Sequence, residues 1–399
     1  MPRVLRIINR LNLGGPTYNA AYLTKYLEGE FETLLVAGMK DDTEESSSYI
    51  LDNYNIKPVF IPEMKRAIDF KNDILAYKKI KKIIKDFKPD IVHTHAAKAG
   101  TIGRLAAYNC GVKVVVHTFH GHVFHSYFSP LKTRFYLAIE KFLAKKTSAI
   151  IAISKGQKNE LTEIYKIAES SKFHTIPLGF DLNRFYENKE KKRAIFRKKY
   201  GIDENEIVIT IIGRLVPIKN HRMFVASIAC LIKETNLPVR GFIVGDGESR
   251  TEIESYCDEL GINYSDATKE NKKTSITFTS WIKEIDVVCD GSDIIALTSK
   301  NEGTPVSLIE AQASGKPIVT TNVGGIKDIL AESAGFLCEV DDVNQFTAYL
   351  NLLCKNENLR KSMSEKGPDF AQNNFSHKRL CNETKSLYYK LLNEKNKYF

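Results

Sequence analysis

The sequence predicts an α/β protein built from two doubly wound, Rossmann-like domains. Its 399 residues, 43% of them hydrophobic, exceed what one ordinary core holds, so we expect two domains of about 180 to 200 residues. Short runs rich in Val and Ile alternate with helical patterns, which is typical of parallel sheets covered by helices. The alternation stops at the charged stretch 187–199 and then restarts, which indicates a hinge near residues 177–190.

The strand-like runs fall into two groups, one on each side of this hinge. The first group comprises residues 4–8, 33–37, 58–61, 91–93, 113–118, 149–153 and 173–176. The second comprises residues 207–213, 241–244, 275–278, 293–298 and 317–320. We therefore predict domains at 1–178 and 179–375, and a C-terminal helix within 376–399 that packs back on the first domain. Ligands of such sheets bind beyond the carboxyl ends of the strands, so we expect them in a central cleft that both sheets face.

Charge and cysteine content limit the class of protein. The net charge of +10 lies in residues 1–185, because the rest of the chain is neutral, and a basic half favours nucleic acid, an acidic membrane surface or a phosphorylated substrate as partner. No run approaches the roughly 18 apolar residues of a membrane span, and no secretory leader is recognisable, so we expect a cytoplasmic protein. Seven cysteines without a CxxC pair suit reduced thiols.

Two segments of the basic half combine apolar and basic residues. Residues 73–88 place five apolar side chains on one helical face and six lysines elsewhere, and residues 122–146 mix aromatics with Lys and Arg. Each pattern is compatible with an ordinary amphipathic surface helix and with a helix that lies on an anionic membrane. Each segment alone leaves both alternatives open, but together with the charge of the first half they lead us to predict that the first domain docks peripherally on an anionic membrane surface.

Two glutamates, Glu302 and Glu310, mark the predicted active site. They lie where the strand 293–298 runs into a loop and an apolar helix. Thr304 suits the N-cap of this helix and Pro305 its first position. A helix start of this kind attracts phosphate, because its first N–H groups have no partner within the helix. Gly303, Thr304 and Val306 would offer such N–H groups, while Pro305 has none.

Glycines and cations follow the first strand of each predicted domain. Gly14 and Gly15 open the first helix and let the backbone approach a ligand. In the second domain, the segment GRLVPIKN begins at Gly213, and its Arg214 and Lys219 could together neutralise a diphosphate. Solvated cations on a surface loop are the alternative interpretation.

Four histidines lie within the segment HTFHGHVFH, namely His117, His120, His122 and His125. Such a cluster raises the hypothesis of a metal site, and His93 and His95 lie nearby in sequence. No carboxylate or cysteine cluster accompanies these residues, and only some of them can share a face. We therefore expect no metal, and instead one histidine at the strand end that contacts the substrate.

Taken together, these motifs resemble the GT-B fold glycosyltransferases of family 4, retaining enzymes that use nucleotide-activated sugars. The similarity covers nearly the whole chain and is most specific in GRLVPIKN, in SDIIALTSKNEGTPVSLIEAQASGKPIV and in IPLGFDLNRF. The resemblance implies that Arg214 and Lys219 hold the donor diphosphate. It also implies that Glu302 lies near the donor sugar and that Glu310 binds the ribose hydroxyls.

The same resemblance assigns the remaining site residues. It implies that Gly14 and Gly15 close on donor phosphate and acceptor, and that His120 lies near the sugar. The backbone of Trp281 and Ile282 would meet the nucleobase. The chain departs from the family pattern at two positions, where relatives often have glycine instead of Ser280 and an aromatic residue instead of Thr304.

The predicted reaction is transfer of a hexose or N-acetylhexosamine from a UDP-sugar to a hydroxyl with retention of configuration. Front-face attack, with the departing diphosphate accepting the proton, requires no metal or other cofactor. The resemblance implies a polyprenyl-diphosphate-linked glycan of surface polysaccharide biosynthesis as acceptor. The alternatives are a UDP-sugar 2-epimerase of related fold and a basic nucleic-acid-binding or membrane-binding module without catalysis. No recognised RNA or DNA motif is present, so we expect no nucleic-acid partner.

Overall fold

The computed structural model describes residues 1–11, 15–39, 48–65, 69–121, 130–270 and 272–396. The chain divides into two compact units. The N unit comprises Met1–Phe180 together with Phe375–Phe399, and the C unit comprises Asp181–Asn374. The second unit is therefore inserted between two parts of the first.

The N unit is built on a parallel sheet of seven strands within the described residues, in the order β3-β2-β1-β4-β5-β6-β7. Its strands are β1 (Arg3–Ile8), β2 (Glu32–Gly38), β3 (Val59–Ile61), β4 (Ile91–His95), β5 (Val114–Phe119), β6 (Ala149–Ala152) and β7 (Phe173–Thr175). Its first helices are α1 (Gly15–Tyr26), α2 (Ser48–Asn53), α3 (Phe70–Phe87), α4 (Ala97–Asn109), α5 (Pro130–Lys145) and α6 (Lys155–Asn159). The order reverses between β1 and β4, and this reversal opens a crevice at their carboxyl ends.

The C unit repeats this architecture, with seven parallel strands in its described residues in the order β10-β11-β9-β8-β12-β13-β14. The strands are β8 (Ile207–Ile212), β9 (Val239–Val244), β10 (Tyr264–Asp266), β11 (Ile276–Ser280), β12 (Ile294–Leu297), β13 (Ile318–Thr321) and β14 (Gly335–Cys338). The helices are α7 (Lys189–Lys199), α8 (His221–Glu234), α9 (Arg250–Glu259), α10 (Ile285–Gly291), α11 (Val306–Ala313), α12 (Ile326–Ile329), α13 (Val343–Lys355) and α14 (Glu357–Phe375). Here the order reverses between β8 and β12.

The last helix, α15 (His377–Asn396), packs on the N unit, as predicted. Backbone hydrogen bonds join Phe180 to Phe375 and to His377 where the chain returns. Tyr388 of α15 is fully buried in a cluster that also contains Val4 and Val116 of the sheet. The helix thus completes the core of a unit whose other elements all precede the C unit.

The fold class is the predicted one, because both faces of each sheet are covered and the central strands read as continuous apolar runs. Two strands were missed by the sequence analysis, β10 and β14. Both are short edge strands, and most of their residues are only partly buried, so their sequences lack the apolar run that marks the central strands. Among the helices of the described ranges, none combines the length and the apolarity that crossing a bilayer requires.

Candidate active site

The loops that follow β8 and β12 meet in the C unit, at the reversal of strand order. Lys219, in a short turn after β8, places Nζ 2.5 Å from Oε1 of Glu302, in the loop after β12. The hydroxyl of Ser299 donates to the same Oε1 at 2.6 Å. The Glu302 carboxylate is 10% exposed and the Lys219 side chain 23% exposed, so the pair borders solvent at the carboxyl edge of the sheet. Two residues predicted from separate motifs thus lie in contact.

Arg214 does not join this pair. Its guanidinium extends into solvent and lies 3.1 Å from the carboxylate of Glu248, with both side chains more than half exposed. An exposed ion pair of this kind contributes about 0 to 1 kcal/mol. Redirecting the Arg214 side chain toward an anion therefore costs little free energy, whereas Lys219 is already oriented by Glu302.

Glycines keep the loops at this edge in backbone contact. A Cβ on Gly245 would lie 2.0 Å from the carbonyl oxygen of Gly213, and a Cβ on Gly324 would lie 1.9 Å from that of Glu302. Neither Gly245 nor Gly324 was predicted from the sequence as a site residue, although each follows a strand end. Gly303 differs from both, because a Cβ there would meet nothing within 4 Å. Packing of the described residues thus does not require glycine at 303, and the space beside it is open to a ligand.

Helix α11 begins one residue later than predicted. Its first residue is Val306, and its N-cap is Pro305, which has φ −69° and ψ 108° and makes no side-chain capping bond. The prediction of Thr304 as N-cap and Pro305 as first residue is therefore wrong. The proline ring fixes φ but not ψ, and because ψ of Pro305 is extended here, the helix starts only after it. The first N–H groups of α11 carry no side-chain cap, and an uncapped helix start favours an anion.

Glu310 lies one turn beyond the first residue of α11, in a cluster with an arginine and a second acidic residue. Nη2 of Arg184 is 3.6 Å from Oε1 of Glu310, and Arg184 also approaches Asp286 at 4.0 Å. Burial raises the pKa of the Glu310 carboxyl to about 7, with the Arg184 charge opposing the rise and the Asp286 charge adding to it. The Glu310 carboxyl therefore changes its charge near neutral pH.

The segment assigned to the nucleobase follows β11. Ser280 has φ 56°, in the left-handed region, and its hydroxyl donates to Oδ2 of Asp246 at 3.0 Å. This hydrogen bond offsets part of the cost of a non-glycine residue in that conformation. Trp281 is 47% exposed, and Ile282 is partly buried, so both residues lie at the surface of the C unit.

In the N unit, the crevice beside β1 and β4 contains His120. Its Nε2 lies 3.0 Å from Nδ1 of His95, and burial lowers the pKa of His120 to about 3. Gly15 opens α1, where a Cβ would lie 2.9 Å from a methyl group of Leu178. Gly14 lies outside the described residues.

Two other histidines of the predicted cluster are hydrogen-bonded within the N unit. His93 lies 2.6 Å from the Tyr388 hydroxyl and 2.7 Å from the Thr118 hydroxyl, and His117 lies 2.9 Å from the Thr94 hydroxyl. His122 and His125 lie outside the described residues. Among the residues that the structure describes, no three His, Cys, Asp or Glu side chains are grouped so as to hold a metal ion.

Comparison with known proteins supports the resemblance inferred from the sequence. Residues 13–184 match the model described as Glycosyltransferase Family 4 and residues 192–370 the model described as Glycosyl transferases group 1. The chain is 32% identical over 339 residues to an Escherichia coli UDP-Gal:alpha-D-GlcNAc-diphosphoundecaprenol alpha-1,3-galactosyltransferase, covering 84% of each protein. It is 24% identical over 370 residues to the Staphylococcus aureus capsular polysaccharide biosynthesis glycosyltransferase CapM, covering 92% of this chain and 94% of CapM.

The fold is also that of a solved protein. The structure of Anabaena HepE in complex with UDP and glucose superposes with a TM-score of 0.79 at 18% identity, covering 98% of this chain and 100% of HepE. At this identity the likeness concerns the fold alone.

Proposed function

The chain belongs to the glycosyltransferases of family 4, and from this premise we propose that it transfers a sugar from a UDP-sugar to a polyprenyl-diphosphate-linked glycan, with retention of configuration. The observation that carries the proposal is the contact between Lys219 and Glu302 beside the uncapped start of α11. Fixed positive charge, a carboxylate and open space next to Gly303 are what a departing nucleoside diphosphate and its sugar require. The 32% identity to an enzyme named for UDP-Gal and a diphosphoundecaprenol acceptor supports the substrate classes.

The donor diphosphate is assigned to Lys219, Arg214 and the α11 start. As the bond from C1 of the sugar to the phosphate oxygen breaks, negative charge grows on the diphosphate. The ammonium of Lys219 is oriented before the reaction, and the N–H groups of Val306 and its neighbours are fixed by the helix. Groups oriented in advance stabilise the developing charge without reorganisation. This arrangement supports a reaction that needs no metal ion.

Two carboxylates are assigned to opposite ends of the donor. Glu302, held by Lys219 and Ser299, is placed near the donor sugar. Glu310 is assigned to the ribose hydroxyls by the family resemblance, and its carboxyl is enclosed, with Arg184 at 3.6 Å as its ion-pair partner among the described residues. Trp281 and Ile282 are assigned to the nucleobase by the family resemblance. On the N unit, Gly14, Gly15 and His120 are assigned to donor phosphate, acceptor and sugar.

A polyprenyl-linked acceptor lies in a membrane, and we assign the surface that docks on this membrane to α5. Leu131, Phe135 and Phe142 are 79%, 63% and 52% exposed, and their spacing places them on one stripe of the helix. The flanking basic residues are Lys132, Arg134, Lys141 and Lys145. The single acidic residue of the helix is Glu140, which turns inward and pairs with buried Arg104 at 2.6 Å. An outer face that is apolar and basic without acids suits an anionic membrane, where the polyprenyl acceptor resides.

The experiment that tests the proposed function is a transfer assay with the full chain, a panel of UDP-sugars and a polyprenyl-diphosphate-linked GlcNAc. We expect UDP release and a longer lipid-linked glycan only when donor and acceptor are both present. Conversion of UDP-GlcNAc without an acceptor would favour the epimerase alternative. No turnover with any UDP-sugar, together with no thermal stabilisation by UDP, would contradict the proposal.

A further inference from the structure

Ser299 is a fully buried residue of the loop after β12 and was not predicted from the sequence as a site residue. Its hydroxyl donates to Oε1 of Glu302 at 2.6 Å, and Nζ of Lys219 lies 2.5 Å from the same oxygen. The direction of the first bond is fixed, because a carboxylate paired with an ammonium accepts hydrogen bonds only. Glu302 is thus held by one hydrogen-bond donor from its own loop and one from the loop after β8.

The second oxygen of the Glu302 carboxylate remains free. Oε2 accepts from no hydrogen-bond donor among the described residues. It is not one of the buried polar atoms that lack a partner either, so it is open to solvent. A carboxylate has about four acceptor sites on its two oxygens, and those of Oε2 are all unused. Oε1 therefore orients the group, and Oε2 is the oxygen that a ligand can reach.

Two buried threonines fix the backbone around Ser299. Its carbonyl oxygen accepts from the hydroxyl of Thr321, the last residue of β13, at 2.6 Å. The hydroxyl of Thr298 donates to the carbonyl oxygen of Lys219 at 3.1 Å. Both threonines are fully buried, so water does not compete for these bonds. The Ser299 hydroxyl therefore has a defined position from which to hold the Glu302 side chain.

The contact with Lys219 alone would not fix the orientation of the carboxylate. An ammonium is a compact charge on a flexible stem, and a single contact with it leaves the carboxylate free to rotate about its last bond. A second hydrogen-bond donor at Oε1, the rigidly held Ser299 hydroxyl, restricts that rotation. Side-chain freedom that is lost before a ligand arrives does not have to be lost on binding. The two contacts together therefore prepare the Glu302 carboxylate for a ligand.

We propose that Ser299 is a positioning residue that, together with Lys219, fixes the Glu302 carboxylate so that Oε2 accepts a hydrogen bond from a hydroxyl of the donor sugar. The inference rests on the proposed function, in which Glu302 lies near that sugar. It adds a residue that touches no substrate and acts only through Glu302. The partner of Oε2 is a hydroxyl because a carboxylate binds hydrogen-bond donors and repels a phosphate of like charge.

The main variant is Ser299→Ala, which removes the hydroxyl and leaves Glu302 paired with Lys219. Its matched control is Ser227→Ala, since Ser227 is also fully buried and donates at 2.8 Å, but to a carbonyl oxygen within α8. We expect Ser299→Ala to lower kcat/KM for the UDP-sugar by roughly tenfold, less than the 10²-fold that a 1 Å misplacement can cost. Ser227→Ala should leave kcat/KM unchanged.

The affinity for UDP separates positioning of Glu302 from general damage to the loop. UDP has no sugar, so its affinity, measured by calorimetry, should stay within about twofold of the parent in Ser299→Ala. A loss of UDP affinity as large as the loss of kcat/KM would indicate that the loop has collapsed and would overturn the proposal. Unchanged kcat/KM in Ser299→Ala would overturn it as well.

A double-mutant cycle tests whether Ser299 acts only through Glu302. Ser299→Ala is combined with Glu302→Ala, and kcat/KM of the double variant is compared with that of Glu302→Ala alone. We expect the two values to agree within about twofold, because the hydroxyl has no carboxylate left to orient. A further tenfold loss in the double variant would show that Ser299 acts independently of Glu302 and would overturn the proposal.

The contact can also be tested without any substrate, from melting temperatures of the parent, the two single variants and the double variant. We expect Ser299→Ala to lower the melting temperature by more in the parent than in Glu302→Ala, where the hydroxyl has already lost its acceptor. Equal shifts would mean that Ser299 does not hold Glu302 and would overturn the proposal. If the parent transfers no sugar, the proposed function fails, while this comparison still decides whether Ser299 holds Glu302.

Discussion

The two units place different chemistry at equivalent positions of the same architecture. In the C unit, the groups of the candidate site are charged and paired, as Lys219 is with Glu302 and Arg184 with Glu310. In the N unit, the corresponding position holds neutral histidines that bind one another. Charges suit a partner whose own charge changes during the reaction, and neutral donors suit uncharged hydroxyls. The difference therefore supports the assignment of the leaving group to the C unit and of sugar or acceptor hydroxyls to the N unit.

The largest expected effect comes from removing the cations of the C unit. Lys219→Ala and Arg214→Ala should each lower kcat by roughly 10²-fold or more, because each removes charge stabilisation from the departing diphosphate. Steady-state transfer rates and melting temperatures measure activity and folding. Arg222→Ala is the control, since this arginine of α8 forms an exposed ion pair with Glu252 and should leave kcat unchanged. Near-normal rates in both site variants would contradict the assignment of Lys219 and Arg214 to the donor diphosphate.

If α5 is the membrane-docking surface, reversing its charge should weaken membrane binding more than the same reversal in the C unit. The variant replaces Lys132, Lys141 and Lys145 of α5 with Glu. Because each basic residue near an anionic surface contributes about 1 kcal/mol, the reversal should weaken binding to vesicles rich in anionic lipid by on the order of 10²-fold. Co-sedimentation at low and high salt measures it, and high salt should release the parent chain as well.

A matched reversal in the C unit controls for the change in net charge. It replaces Lys191, Lys198 and Lys199 of α7, all exposed, with Glu. We expect little loss of vesicle binding in this variant. Equal losses in the two variants would indicate a diffuse charge effect and remove the role of α5.

The third prediction uses the raised pKa of Glu310. The ribose hydroxyls donate to the ionised carboxylate, so donor binding favours the ionised form, lowers the pKa of Glu310 from about 7 and releases a proton. By linkage, affinity for the donor should fall as pH drops below about 7, by at most tenfold per pH unit. Calorimetry with UDP-glucose measures this, because its diphosphate does not titrate there.

Two variants test the origin of that pH dependence. Glu310→Gln should give a flat profile between pH 6 and 8, because an amide does not titrate. Glu310→Ala should weaken binding by about 1.5 to 3 kcal/mol, the loss of a charged hydrogen bond. Unchanged affinity in Glu310→Ala would mean that Glu310 is not the ribose ligand.

The smallest expected effect is that of chelation. With Lys219, Arg214 and the α11 start assigned to the leaving group, transfer in excess EDTA should stay within about twofold of the untreated rate. Complete loss of activity, restored by one divalent ion, would contradict a metal-independent reaction. It would also weaken the comparison of charged C-unit residues with neutral N-unit residues, since a metal ion could then supply the positive charge assigned to the C-unit side chains.

Much of the fold could be predicted because its signal is local. The buried strand β8, for example, is a continuous apolar run that needs no tertiary information. The edge strands β10 and β14 could not be predicted, because three or four partly buried residues form a strand only once a neighbouring strand pairs with them. The late start of α11 has a similar cause, since the ψ angle of Pro305 follows from the loop and not from the proline itself.

The sequence was sufficient to predict which loops form the candidate site, but not which of their residues contact one another. Glycines, cations and glutamates after strand ends locate the loops, because parallel strands bring their carboxyl ends to one edge. The contact between Lys219 and Glu302 joins residues 83 positions apart, and no local pattern encodes it. The same holds for His95 and His120, and for the contact between Gly324 and the Glu302 carbonyl oxygen.

The insertion of the C unit into the N unit also orders events during protein synthesis. Strands β1 to β7 are translated first, but α15, which carries buried Tyr388, follows only after the whole C unit. At 5 to 20 residues per second, about 200 residues take roughly 10 to 40 s. During that interval, the sheet face that contains Val4 and Val116 lacks its covering helix. The second unit of the chain can therefore finish folding on the ribosome before the first, and until α15 is made the N unit exposes apolar surface that is buried in its folded core.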